Sequence, residues 1–254
     1  MEGAIKLLQR KITGAGYFAL KGTNDFIGLN NNNTQLSESL TEDSIAFVWA
    51  TLGSDVQFSA KALNNSDVGK TLTVEWLDRD FIRNKTTVTL PAVGQSVEIT
   101  ADKGFRVNKA TLSAPATGTV SIWTPYMYGS QQDLYVIVSG NSTGNHGIFT
   151  VPKGETYALL GVDMLSQRED HAQLSVQTRT HDVTSGGARL QGTLGFNDVL
   201  YAACPVNEVF KATQLTVPYL LPEGTDIEMK GTKISNADQG YTSITATAHI
   251  ARFE

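Results

Sequence analysis

Thr71-Leu-Thr-Val-Glu-Trp-Leu77 is a stretch in which apolar and polar residues alternate, and most of the chain after Ile45 repeats this pattern. Lys85-Thr-Thr-Val-Thr-Leu90 follows it after a short connection. Period-two alternation of β-branched and aromatic residues predicts strands, because successive side chains of a strand point to opposite faces. Short runs of this kind, each ended by Gly, Asn, Asp or Pro, are typical of antiparallel sandwiches. The sequence therefore predicts an all-β fold.

The same pattern predicts further strands along the rest of the chain. They cover residues 44–52, 56–63, 96–100, 107–112, 119–123, 134–138, 147–151, 156–162, 172–180, 188–194, 209–215, 226–230 and 242–250. The polar stretch 128–133 is interpreted as a boundary. We therefore predict two antiparallel β-sandwich or jelly-roll-like domains, at residues 44–128 and 129–254, preceded by an N-terminal arm and loop at residues 1–43.

The predicted arm differs in composition from the rest of the chain. Residues 4–12 form a short basic segment with helical spacing, and several glycines and the run Asn30-Asn-Asn-Asn33 follow it. A helix this short is marginal unless it packs against something. Two interpretations stay open: a flexible terminus that lies on its own domain, or an arm that becomes ordered against a partner subunit.

The composition limits the classes of function. Of the 254 residues, 41% are hydrophobic, which suffices for a buried core, and 18% are charged, below the roughly 25% that is usual. Residues 128–254 carry 13 acidic and 8 basic side chains, which accounts for the whole net charge of −5. An acidic half argues against a nucleic-acid surface, because phosphate binding needs clustered Lys and Arg.

Neither a membrane span nor an export signal is expected. No run approaches the ~18 apolar residues that a membrane-spanning helix needs. The start Met-Glu-Gly-Ala-Ile-Lys lacks the apolar core of a signal peptide. We therefore expect synthesis in the cytoplasm and no association with a membrane.

The signals for catalysis are weak. Gly140-Asn-Ser-Thr-Gly144 matches the Gly-x-Ser-x-Gly pattern of serine hydrolases, which works only on a tight turn from a strand into a helix. Here a strand follows directly, so a hairpin loop is predicted instead. Cys204 is the sole cysteine and lies among apolar residues, which favours a buried thiol over a nucleophile. We predict no catalytic residues and no enzyme activity.

Metal and cofactor sites are not predicted either. Asp78-Arg-Asp80 hints at calcium but lacks the Gly and closing Glu of an EF-hand loop, so a turn is the better interpretation. Neighbouring Asp and His residues would point to opposite faces of a regular strand, so they are assigned to solvated loops. No glycine-rich loop that could hold a phosphate is present. The residues considered were His146, Asp170, His171, His181, Asp182 and His249 as metal ligands, and Trp49, Trp76 and Trp123, which we expect in the core rather than as sugar-binding platforms.

Two groups of segments resemble a family of structural proteins from tailed bacteriophages. The first comprises residues 71–78, 86–90, 105–112 and 118–122, and the second comprises Gly147-Ile-Phe-Thr-Val-Pro-Lys-Gly-Glu-Thr-Tyr157 and residues 220–227. The Val-Pro-Lys-Gly turn suits its position, because Pro presets φ and Gly accepts the left-handed conformation. The resemblance covers roughly residues 70–254 and depends on the shared order of the segments.

The resemblance implies a virion component without catalytic residues or cofactors. We therefore expect a capsid decoration or cement protein that binds the major capsid protein or other virion proteins. A homotrimer is expected by analogy with such proteins, and the location would be the virion, assembled in the host cytoplasm. The alternative is a tail or fibre module that binds a host receptor or glycan. A polysaccharide hydrolase would need two carboxylates facing each other across a groove.

Overall fold

The computed structural model describes residues 17–26, 36–39, 56–101, 103–127, 130–166, 172–181, 196–204, 210–233 and 242–253. Within these ranges the only helical element is the 3₁₀ turn Asn65–Asp67. The prediction of an all-β fold is confirmed. In chain order the strands are β1 Tyr17–Phe26, β2 Leu36–Ser39, β3 Ser59–Ala62, β4 Thr71–Leu77, β5 Arg83–Thr89, β6 Val97–Glu98, β7 Arg106–Leu112, β8 Val120–Met127, β9 Ser130–Ile137, β10 Ile148–Thr150, β11 Thr156–Ser166, β12 Ala172–Thr180, β13 Asn197–Cys204, β14 Phe210–Leu221, β15 Thr225–Lys233 and β16 Thr242–Phe253.

The described residues divide into two compact units. Residues 56–145 form one of them, which we call the insert unit because the chain enters it from the other unit and returns afterwards. The strands β1, β2 and β10 to β16 form the other, which we call the jelly-roll unit.

Eight strands of the jelly-roll unit form two antiparallel sheets. Sheet A has the order β1-β16-β11-β14, and sheet B has the order β10-β15-β12-β13, with β2 paired to the far end of β15. Numbered from one to eight along the chain, these strands have the orders 1-8-3-6 and 2-7-4-5. Two interleaved Greek keys of this kind define a jelly roll. The prediction of a jelly-roll-like sandwich is confirmed for this unit.

The core of the jelly-roll unit follows from the alternation of its strands. On β16, Ile244, Ala246, Ala248 and Ile250 are buried, whereas the residues between them are partly exposed. On β12, the buried positions alternate in the same way from Ala172 to Thr178. Apolar side chains from both sheets join one hydrophobic cluster. Each sheet therefore has one face in the core and one face that carries polar residues.

Gly161 on β11 permits a close approach of the β14 backbone. A Cβ atom at this position would lie 2.5 Å from the carbonyl oxygen of Thr213. The pairing is irregular here, because Leu159 lies opposite Tyr219 whereas Gly161 lies opposite Gln214, so β14 bulges between these positions. We expect Gly161→Ala to lower the free energy of unfolding of the jelly-roll unit by about 1–3 kcal/mol, the usual cost of overpacking. Hydrogen exchange of amides in the jelly-roll unit would check this, and unchanged exchange rates would contradict the close approach.

The insert unit is a second antiparallel assembly with its own core. One sheet has the order β6-β3-β8-β9 and the other has the order β5-β4-β7. Both sheets contribute side chains to one cluster, in which Phe58, Leu72 and Phe81 are fully buried. The edge-to-face contact between the rings of Phe81 and Phe105 belongs to this core.

A buried carboxylate fastens two segments of the insert unit to each other. Asp67 Oδ1 accepts hydrogen bonds from Lys70 Nζ at 2.6 Å and from the Thr117 N–H at 2.7 Å, and Oδ2 accepts one from the Gly118 N–H at 2.8 Å. Burial acts to raise the pKa of Asp67, but the hydrogen bonds from Lys70 and the two backbone N–H groups outweigh it, so the pKa lies below its ordinary value. Asp67 thereby holds the 3₁₀ turn to the loop before β8.

The structure divides the chain at different places from the sequence prediction. The predicted boundary at residues 128–129 falls in the connection between β8 and β9, which pair with each other, so the insert unit continues to residue 145. The predicted arm at residues 1–43 contains β1, which pairs with β16 along all ten of its residues, and β2, which pairs with β15. These segments are integral strands of the jelly roll because their backbone hydrogen bonds complete its sheets. The predicted strands at residues 44–52 and 188–194 lie outside the described residues.

Candidate interaction surface

The loop that matches the hydrolase pattern does not form a nucleophile elbow. No helix follows Gly140–Gly144, and the loop leads to β10. Its backbone instead bonds to neighbouring segments: the Leu112 N–H donates to the Ser142 carbonyl, and the Ala116 N–H donates to the Asn141 carbonyl. Gly140 has φ +86°, as a tight turn requires. The prediction of a loop is confirmed, but the loop does not close a hairpin, because β9 pairs with β8 and β10 pairs with β15. The sequence match carries no catalytic geometry.

The three histidines that the structure describes do not form a shared metal site. His146 is buried, and His171, with the neighbouring Asp170, lies outside the described residues. His249 on β16 is partly exposed, and its Nε2 lies 2.8 Å from Asp163 Oδ2 on β11. No group of three His, Cys, Asp or Glu side chains suited to a metal ion occurs within the described ranges.

His181 corrects the prediction of a solvated loop, while the adjacent Asp182 lies outside the described residues. It is buried, and its Nε2 lies 2.7 Å from Asp226 Oδ2. The same oxygen accepts a hydrogen bond from Arg179 Nη2 at 2.8 Å, and Oδ1 accepts one from Thr150 Oγ1 at 2.6 Å. Thr150, Asp226 and Arg179 lie directly opposite one another on β10, β15 and β12. We call these four residues the Asp226 cluster; its burial and internal pairing indicate a structural role.

The remaining candidates of the sequence analysis lie in separate places. Asp78 Oδ1 accepts hydrogen bonds from the N–H groups of Asp80 and Ile82, so it closes a turn, as predicted. Trp76 is in the core and donates a hydrogen bond to Thr86 Oγ1, which confirms its predicted place.

Trp123 is only partly buried and lies outside the core cluster, with Lys61 Nζ 5.4 Å from its ring centroid. The prediction that Trp123 lies in the core is therefore wrong, because its ring faces Lys61 at the surface of its sheet. Trp49 lies outside the described residues, and Cys204 is the last residue of β13. The burial of the Cys204 thiol stays a prediction.

The most unusual surface of the jelly-roll unit follows the edge strand β14. Among the described strands, β14 pairs only with β11. Large apolar side chains are exposed along it and on the adjacent end of β11, and we call them the β14 surface. They are Phe210 at 55%, Val217 at 54%, Leu220 at 45%, Leu165 at 44% and Tyr219 at 42% exposure.

Several features keep the edge of β14 from continuing the sheet into another molecule. Lys211 is an exposed cation, and Pro218 lacks the N–H group that a strand partner would use. The irregular pairing next to Gly161 bends the strand further. Because these features discourage edge-to-edge pairing, the exposed side chains are the part of β14 suited to association.

The sequence predicted only part of the strand that carries the β14 surface. The strand was predicted at residues 209–215 but extends to Leu221. Pro218 argues against a central strand, and only the position of β14 at the edge of its sheet makes it acceptable. The run Val217-Pro-Tyr-Leu-Leu221 was the available signal, since apolar residues at consecutive positions occupy both faces of a strand.

Comparisons with known proteins give no family for this chain. No family of known proteins matches it, and no curated protein matches it. Among solved structures, the VP2 subviral particle of infectious bursal disease virus is similar at 7% identity and a TM-score of 0.23, covering 94% of this chain and 71% of the other. The structure of the Gt strain of the same virus is similar at 9% identity and a TM-score of 0.25, covering 94% of this chain and 72% of the other. The insecticidal delta-endotoxin Cry8Ea1 from Bacillus thuringiensis is similar at 10% identity and a TM-score of 0.25, covering 98% of this chain and 55% of the other. At these TM-scores the similarities carry no argument about function.

Within the described ranges, no helix is both long and apolar enough to cross a membrane.

Proposed function

We propose that this chain is a non-enzymatic structural protein of a bacteriophage virion, and specifically a capsid decoration protein that binds and stabilises the head shell. The observation that carries the proposal is the row of exposed apolar side chains on β14. The segments at residues 70–254 that resemble tailed-phage structural proteins support it. Jelly rolls occur in viral capsid, lectin and cupin domains, so the fold is compatible with the proposal but does not decide it.

The β14 surface has the chemistry of the centre of a protein interface. Aromatic side chains are enriched in such centres, and the exposed residues here include Phe210 and Tyr219. Burying the exposed half of one such side chain contributes about 1 kcal/mol. All five, which lie on both faces of the edge, would give at most about 5 kcal/mol. This is less than the roughly 8 kcal/mol of a micromolar complex and must also offset the entropy of association. The β14 surface is therefore the core of a larger contact of about 800 Å² on each partner.

The partners belong to the same proposal. The contact would be made with the major capsid protein or another virion protein, and the homotrimer is proposed by analogy. Adding a bound subunit that bridges neighbouring shell proteins buries further surface, and this stabilises the shell. The location would be the virion, assembled in the host cytoplasm.

Binding to particles that lack this protein tests the proposal. Purified protein is mixed with such heads, and the bound fraction is measured by co-sedimentation. We expect Val217→Asp and Leu220→Asp to bind at least about tenfold more weakly, because a charge buried in an apolar contact costs more than 1.4 kcal/mol.

Leu63→Asp is the matched control, since Leu63 is 56% exposed but lies in the insert unit. We expect this variant to bind like the wild type. Absence of binding by the wild-type protein would contradict decoration. Equal binding by the β14 variants and the wild type would exclude the β14 surface as the contact.

A further inference from the structure

The outer face of sheet B carries an exposed aromatic ring among polar side chains. Tyr201 on β13 is 59% exposed, the largest exposure among the large apolar and aromatic side chains whose burial the structure describes. Two cross-strand rows run through this region. One consists of Lys230, Ser175 and Tyr201, and the other of Glu228, Gln177 and Asp198, on β15, β12 and β13 in each case.

A β-bulge brings Tyr201 and Asp198 to the same face. Three positions separate them, so in a regular strand their side chains would point to opposite faces. The register between β12 and β13 shifts at this point: Val176 lies opposite Leu200, whereas Gln177 lies opposite Asp198. The bulge inserts one residue and so places the Asp198 carboxylate beside the tyrosine ring.

Hydrogen bonds hold the two side chains in place. The Tyr201 hydroxyl donates to Asp198 Oδ2, and Gln177 Nε2 donates to Asp198 Oδ1 at 2.7 Å. The hydrogen bond from Tyr201 lowers the pKa of Asp198, and the same bond raises the pKa of Tyr201. At neutral pH the carboxylate is therefore ionised and the phenol is protonated. Asp198 acts as an acceptor, and the ring is held against free rotation.

We propose that this face binds a neutral carbohydrate, with Tyr201 as the stacking platform and Asp198, Gln177 and Lys230 as the polar contacts. The apolar C–H face of a sugar ring packs against an aromatic ring, and its hydroxyls need acceptors and donors at the rim. Asp198 supplies acceptors, whereas the Gln177 amide and the Lys230 amine supply donors. Preorganised side chains lose little entropy on binding, which favours a weak but specific contact.

The charges of the face select against acidic sugars. Asp198 is exposed and ionised, whereas Glu228, in the same cross-strand row, is buried and does not face solvent. Lys230 Nζ is 4.0 Å from Glu228 Oε1, so its positive charge is largely balanced. A sugar carboxylate would meet the exposed Asp198 carboxylate and an amine already paired with Glu228, whereas a neutral sugar has no such penalty. Sugar binding at this face does not rest on the function proposed above.

Affinity electrophoresis in native gels tests the inference. The intact protein is run in gels that contain dextran, mannan, galactan or xylan as neutral probes, or polygalacturonate as an acidic one. We expect retardation by at least one neutral polysaccharide. Tyr201→Ala should weaken this retardation at least about tenfold, as expected for loss of an aromatic anchor.

Two further variants sharpen the comparison. Tyr201→Phe keeps the ring but loses the hydrogen bond to Asp198, so we expect a smaller loss of about threefold, as for one modest hydrogen bond. Ile82→Ala truncates a side chain that is 49% exposed in the insert unit and should be retarded like the wild type. Three results would each overturn the inference: no retardation by any neutral probe, retardation by polygalacturonate alone, or equal retardation of Tyr201→Ala and the wild type.

Discussion

Replacing Asp226 with alanine is expected to lower the free energy of unfolding of the jelly-roll unit by about 3–5 kcal/mol. Asp226 is fully buried, and its carboxylate contacts Arg179, His181 and Thr150 at 2.6–2.8 Å. Removing one member of a buried, hydrogen-bonded ionic group leaves the polar atoms of the other members buried without partners. The free energy that these atoms lost when they left water is then no longer compensated, and this sets the size of the effect. A loss of this size is a large part of the total stability of an ordinary domain.

The matched control for this prediction is Asp163→Ala. Asp163 also pairs with a histidine on a neighbouring strand, His249, but the two side chains are 38% and 28% exposed. A pair accessible to solvent contributes less than about 1 kcal/mol. Amide hydrogen exchange is the measurement of choice, because it reports the opening of each unit separately where one unfolding curve would combine them. Equal effects of the two substitutions would contradict the structural role of the Asp226 cluster.

The second large effect is expected from Asp67→Asn, which should lower the free energy of unfolding of the insert unit by about 2–3 kcal/mol. The substitution keeps the volume but removes the charge that Lys70 contacts and one of the two acceptor oxygens. An amide group cannot accept from the Thr117 and Gly118 N–H groups and also satisfy Lys70. Hydrogen bonds to charged groups are worth roughly 1.5–3 kcal/mol each, and part of this is recovered when the loop relaxes. Hydrogen exchange of residues 113–119 should accelerate.

The effect of Asp67→Asn should depend on pH in a defined direction. The folded-state pKa of Asp67 is below 3.8, the ordinary value that applies to the unfolded chain. Its contribution to stability is therefore fully present above pH 3.8 and is lost as the pH falls through the lower folded-state pKa. The difference in stability between the wild type and Asp67→Asn should be constant near neutral pH and shrink in acid.

The control for Asp67 is Asp80→Asn, since Asp80 is exposed in a turn of the same unit. This substitution should change neither the stability at neutral pH nor its dependence on pH. A difference between the wild type and Asp67→Asn that persists unchanged down to pH 2 would contradict the paired, ionised state of Asp67.

Local alternation made much of the fold predictable, and strand pairing explains what was missed. β4 was predicted with its observed bounds because Leu72, Val74 and Trp76 alternate with polar residues. β13 was not predicted, because its bulge places Val199 and Leu200 side by side and disrupts the alternation. β1 contains Gly22 and Asn24, which are typical of loops, yet they occupy regular positions opposite β16.

The functional features were less predictable than the strands. Asp226 is 45 residues from His181 and 76 from Thr150, and only the pairing of β10, β15 and β12 brings them together. The local signal was the spacing of Arg179 and His181 by two residues, which places both on one face. The interface role proposed for β14 depends on its position at an edge, and one sequence does not specify the order of strands in a sheet.

Immunogold electron microscopy of phage particles tests the central proposal most directly. Antibody against the purified chain is applied to particles from the source lysate, after the chain has been detected in them by mass spectrometry. The proposal predicts gold distributed over the heads. Gold confined to the tails would contradict head decoration and favour a tail or fibre module. Purified particles that contain none of the chain would contradict a place in the virion altogether.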